Sequence, residues 1–87
     1  MNDLAVFKVV KEELQWWSSF FAEKGIIGAE LQSLVMRLTN YIMSTSPSER
    51  DIENFILSKI RITNIQADRM AINVMAAAIR MKMPLFL

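Results

Sequence analysis

The chain contains no cysteine and no histidine, and its 87 residues include only two glycines, two prolines and one tyrosine. Without cysteine there is no disulfide framework, no thiolate metal ligand and no thiol nucleophile. Without histidine the commonest general base, the usual nitrogen ligand of zinc and the base of a serine triad are missing as well. Carboxylates remain, but they fall on predicted exposed helix faces, and the sequence neighbours Glu12 and Glu13 do not share a face. Two glycines do not build a phosphate-cradling loop or a dinucleotide fingerprint. The chain therefore reads as non-enzymatic, with no cofactor, no metal and no small-molecule substrate expected.

Long apolar runs are also scarce. The richest stretch, Met70 to Ile79, is interrupted by Asn73 and is too short to cross a bilayer, so no membrane span is expected. The amino terminus, Met1, Asn2, Asp3, shows no basic region followed by an apolar core. A secreted domain of this size is usually held by disulfides, so the expected location is cytoplasmic.

What the sequence has in quantity is apolar side chains: 53% of residues are hydrophobic and 22% are charged. At 87 residues the chain is expected to form a single helical domain over 1–87, close to the size at which one core stabilises a fold only marginally. The composition is richer than one such core needs. The surplus is expected at an interface, with another protein or with a second copy as a homodimer. Charge is unevenly spread beneath a net value of +1. Acidic residues predominate up to Glu53, whereas from Asn54 onward Lys59, Arg61, Arg69, Arg80 and Lys82 face only Asp68. A basic carboxy-terminal half suits nucleic acid or an acidic protein, and it is also what an ordinary solvated surface looks like.

The few glycines and prolines punctuate a helical pattern. Apolar periodicity runs from a cap at Asn2 or Asp3 to about Lys24, where Gly25 supplies a left-handed terminator. A second helix is predicted over about Ala29 to Ser44. Ser46, Pro47, Ser48, Glu49 places a hydroxyl at an N-cap, proline at the first helical position and a carboxylate that reaches back, so a third helix is predicted from Ser46 to about Ile60. Thr63 followed by Gln66 offers a capping box for a fourth, running to about Lys82 before Pro84. The expected fold is all-α, a compact bundle of about four short helices, with residual β-character only in Lys59 to Thr63.

Each predicted helix presents a different face. The second has one stripe, Leu31, Leu34, Val35, Leu38, Tyr41 and Ile42, with Met36 and Met43 beside it. The third has a modest one, Ile52, Phe55, Ile56 and Ile60. The first has two: Val6, Phe7, Val10, Leu14, Trp17 and Phe21, and separately Val9, Trp16 and Phe20. The second of these stripes is either the inner side of a central helix or a partner-binding surface, since clustered tryptophan and phenylalanine anchor interfaces. The fourth helix is apolar around most of its circumference and reads as the most enclosed. Its narrow polar stripe, Gln66, Arg69, Asn73 and Arg80, is either a solvated edge or an alternative nucleic-acid-binding surface of amide and guanidinium groups. In that alternative the third and fourth helices form a helix-turn-helix-like pair, although the connection lacks a glycine.

The last residues, Lys82, Met83, Pro84, Leu85 and Phe86, resemble the short peptide by which many bacterial proteins dock on the replication sliding clamp, without its leading glutamine. The resemblance implies clamp binding; the alternative is that Leu85, Phe86 and Leu87 fold back onto the bundle. The chain thus reads as a small regulator, inhibitor or chaperone that acts through its surfaces, with a DNA-binding regulator as the alternative.

Overall fold

A computed structural model describes residues 3–83. The Asn2 cap and the apolar end of the clamp-peptide resemblance lie outside the described residues. Within them the chain forms α1 (Asp3–Trp16), α2 (Ser18–Glu23), α3 (Ala29–Thr45), α4 (Glu49–Leu57) and α5 (Ile65–Lys82), with no strand among the described residues. Helix α1 packs on α3 and α5, and α4 packs on α5 and α3, in a body of 36 × 25 × 19 Å. No helix among the described residues is long and apolar enough to cross a membrane.

The periodic stripes supply the core. Val6, Val10 and Leu14 of α1 and Phe21 of α2 meet Leu34, Val35, Leu38 and Ile42 of α3. Ile52 and Ile56 of α4 and Ile72, Met75, Ala76 and Ile79 of α5 complete the same cluster. Burying an aliphatic side chain of this kind stabilises the fold by about 1.5–3 kcal/mol. At the periphery of the core, the Tyr41 and Phe55 rings stack at 4.7 Å between α3 and α4.

The helix boundaries follow local hydrogen-bonding chemistry, and four of them differ from the sequence expectation. Helix α4 ends at Leu57 rather than near Ile60. The predicted first helix is broken at Trp17, which gives two helices in place of one. Helix α4 is capped by Ser48 rather than Ser46. Its hydroxyl accepts from the Asp51 N–H at 3.1 Å, and the Asp51 carboxylate accepts from the Ser48 N–H at 3.2 Å. Ser46 instead ends α3 in the left-handed region at φ 46°, where its N–H donates to the Ile42 carbonyl at 3.0 Å. The chain has to reverse there, so that position is not free to start the next helix. Helix α5 is capped by Asn64 rather than Thr63, with the Asn64 side chain accepting from the Ala67 N–H at 3.1 Å. The end of α2 matches its expectation: Gly25, at φ 78°, donates to the Ala22 carbonyl at 3.0 Å and Ile26 to the Phe21 carbonyl at 2.9 Å. This is the paired closure that a left-handed glycine permits.

Helix α5 is also less enclosed than its composition predicts. Its main neighbours are α4 and α1. Two neighbouring helices cover one side of a cylinder, so Met70, Val74 and Met81 stand in solvent on the other.

Candidate interaction surfaces

The break at Trp17 sets the geometry of the first candidate surface. Trp17 has φ −97° and ψ 22°, and its N–H is shared between the carbonyls of Glu13 at 3.3 Å and Leu14 at 3.2 Å. The helix resumes when Phe21 donates to the Trp17 carbonyl at 3.1 Å. The indole N–H of Trp17 donates to Glu13 Oε2 at 2.8 Å, and the Lys82 ammonium, from the end of α5, donates to Glu13 Oε1 at 3.0 Å. Glu13 is itself buried. A buried carboxyl group needs hydrogen-bond donors in place of water, and these two supply them.

Two adjacent tryptophans are thereby separated in role. Trp17 packs against the core, whereas Trp16 is 83% exposed. Val9 and Phe20, expected on the same stripe as Trp16, are half-buried and pack against the core. Phe20 meets Trp17 edge-on at 6.3 Å and Phe21 edge-on at 5.4 Å. The structure therefore does not present the three as one open face; Trp16 alone projects.

The second candidate surface is the outer side of α5. Met70, Val74 and Met81 are 71%, 53% and 85% exposed, and Ala77, between them in the helical register, is half-buried. At about 100° per residue these four form one stripe opposite the buried Ile72, Met75 and Ile79. Along one edge of it lie Gln66, Arg69, Asn73 and Arg80, all exposed. The structure thus brings the four polar residues together on one side. It also places a carboxylate among them, because the Asn73 side-chain amide donates to Glu53 Oε1 of α4 at 2.8 Å. A phosphate backbone laid along this edge would meet that negative charge. The connection between α4 and α5 runs over residues 58–64, longer than the short turn of a helix-turn-helix.

A third cluster is closed rather than open. Lys24, at the end of α2, places its ammonium 2.7 Å from Asp68 Oδ2 and 2.8 Å from Thr63 Oγ1, and 5.5 Å from the centre of the Phe20 ring. Asp68 Oδ2 also accepts from the N–H groups of Thr63 at 3.0 Å and Asn64 at 3.3 Å. The hydrogen bond from Lys24 is the chief cause that holds the Asp68 carboxyl below the ordinary range; burial opposes it and the two backbone N–H groups reinforce it. Sequence reasoning did not find this cluster, because its members lie 44 positions apart.

One depression among the described residues, of about 390 Å³, is lined by Leu4, Phe7, Lys8, Lys11, Glu12 and Gln15 along a single helix. No buried side-chain nitrogen or oxygen lacks a hydrogen-bond partner among the described residues, and no three acidic side chains gather there to hold a metal. Comparison with protein families, curated proteins and solved structures finds no match to this chain.

Proposed function

We propose that this protein is a non-enzymatic interaction module, a small regulator, inhibitor or chaperone that self-associates and binds another protein with Trp16 as its anchor. The observation that carries this reading is the exposure of Trp16, 83%, beside a Trp17 that is fixed to Glu13. A large aromatic side chain in water forfeits the burial that would stabilise it, and tryptophan is the residue type most enriched among binding hot spots. The Glu13, Trp17 and Lys82 bonds hold the backbone under it, so little ordering is left for a partner to impose.

Affinity capture from the native host with wild-type protein and with Trp16→Ala, each identified by mass spectrometry, tests the reading. A partner retained by wild type and lost with Trp16→Ala, while the helical circular dichroism is unchanged, supports it. Identical capture by both proteins rejects Trp16 as the anchor.

A DNA-binding regulator remains the second reading, favoured by the alignment of Gln66, Arg69, Asn73 and Arg80 along one exposed edge. If it holds, duplex DNA binds at low salt, Arg69→Ala and Arg80→Ala weaken binding, and affinity falls steeply as salt rises. Absence of duplex binding at low salt retires it.

A further inference from the structure

The exposed stripe of α5 has an order that its composition alone does not require. Met70, Val74, Ala77 and Met81 are spaced by four, three and four residues, so the spacing of the stripe is the same from either end. Large side chains sit at its two ends, and at its centre a valine is followed by an alanine. A surface with that symmetry is complementary to a reversed copy of itself, which is the requirement of a two-fold interface.

We infer that α5 is the self-association surface of this protein, packing antiparallel against α5 of a second copy about an axis level with Met75 and Ala76. It rests on the interaction-module reading and assigns self-association to α5 rather than to Trp16. In this arrangement Met70 lies against Met81 of the second copy, and Val74 fits over the small Ala77 of the second copy.

Charge selects both the occupant and the direction. Arg69 and Arg80 stand on the same edge of the stripe, and neither has an ion pair among the described residues. A parallel pairing would place this edge on opposite sides of the seam in the two copies, so neither arginine would meet Glu53 of the second copy. The antiparallel pairing carries the level of Asn73 to that of Ala78 in the second copy, and Glu53 is held at Asn73 by its 2.8 Å hydrogen bond. Glu53 of the second copy therefore arrives within two residues, about 3 Å along the axis, of Arg80. Each dimer gains two such pairs, and Glu53 Oε2 is the oxygen left for them, since Oε1 accepts from Asn73. A seam of one helix against one helix is at the small end of stable interfaces, so the dimer is expected to dissociate on dilution.

Sedimentation equilibrium of the full chain over a concentration series tests this. Wild type is expected to pass from monomer to dimer as concentration rises, and Val74→Glu is expected to remain monomeric with its helical spectrum intact. Exposed ion pairs contribute a factor of up to about five each, and Arg80→Glu or Glu53→Arg alone disturbs two, so each is expected to weaken dimerisation by up to about twenty-fivefold. The combined exchange, Arg80→Glu with Glu53→Arg, is expected to restore it, whereas Trp16→Ala is expected to leave it unchanged. A wild type that stays monomeric throughout overturns the inference without touching the Trp16 capture result. A dimer that survives Val74→Glu or is lost with Trp16→Ala places self-association elsewhere. A combined exchange that fails to recover overturns the antiparallel arrangement.

Discussion

Lys24 and Asp68 form an ion pair at 2.7 Å with only 5% and 6% of their side chains exposed, joining the end of α2 to the first turns of α5. The lysine ammonium donates to Asp68 and Thr63 and lies over the ring of Phe20. Removing one partner leaves the other buried without compensation, which costs more than the intact pair contributes. Lys24→Met is therefore expected to lower the melting temperature clearly more than Lys59→Met, at an exposed lysine, does. Removing both charges, in Lys24→Met with Asp68→Leu, is expected to cost less than the sum of the two single changes. Equal melting temperatures for Lys24→Met and Lys59→Met would show that the pair contributes nothing.

The same carboxylate gives the fold a dependence on acid. Its folded pKa lies below the unfolded value of about 3.9. The sign follows from linkage: the stabilisation is present above the unfolded pKa and is lost as pH falls through the folded one. Melting temperature measured against pH is expected to drop below about pH 4, and Asp68→Asn, although less stable at neutral pH, is expected to show a shallower drop. Parallel curves for the two proteins would assign the acid sensitivity to other carboxylates.

Helix capping separates two serines two positions apart. Ser48→Ala removes the oxygen that accepts from Asp51 and is expected to cost about 1 kcal/mol in urea denaturation. Ser46→Gly relieves a left-handed backbone and is expected to be neutral or stabilising by up to about 1 kcal/mol. The reverse ranking would mean that α4 starts at the proline.

The two tryptophans are expected to report independently. Acrylamide quenching of Trp16→Phe, which leaves Trp17 against the core, is expected to be weaker than that of Trp17→Phe, which leaves the exposed indole. Trp17→Phe also removes a hydrogen bond to a buried carboxylate and is expected to cost about 1.5–3 kcal/mol. Trp16→Phe is expected to stay within about 0.5 kcal/mol of wild type. Similar quenching of the two variants would contradict the division at this pair.

The helical class was legible because the apolar positions recur with helical spacing and because Gly25 marks a stop that the backbone uses. The break at Trp17 was not, since no glycine or proline marks it, and the bonds that Trp17 makes at the break run to Glu13 and through it to Lys82, 69 positions beyond Glu13. The caps at Ser48 and Asn64 each had a competing hydroxyl nearby, and the choice was made by what Ser46 and Thr63 do elsewhere. For the candidate surfaces, the sequence singled out Trp16 but grouped it with Val9 and Phe20, which a straight helix would have kept alongside it. The α5 stripe was hidden by its own composition: an all-round apolar helix reads as enclosed until the number of neighbours that reach it is known.

Both ion pairs among the described residues join distant parts of the chain, Glu13 with Lys82 across 69 positions and Lys24 with Asp68 across 44. Contacts closing loops of that length carry a large closure cost and are expected to form after the intervening chain has condensed. Their strength then resides in the unfolding rate. Weakening them is expected to shorten the lifetime of the native state while the speed of folding scarcely changes. On that expectation, the two bridges bear on how long the bundle stays closed rather than on how fast it closes.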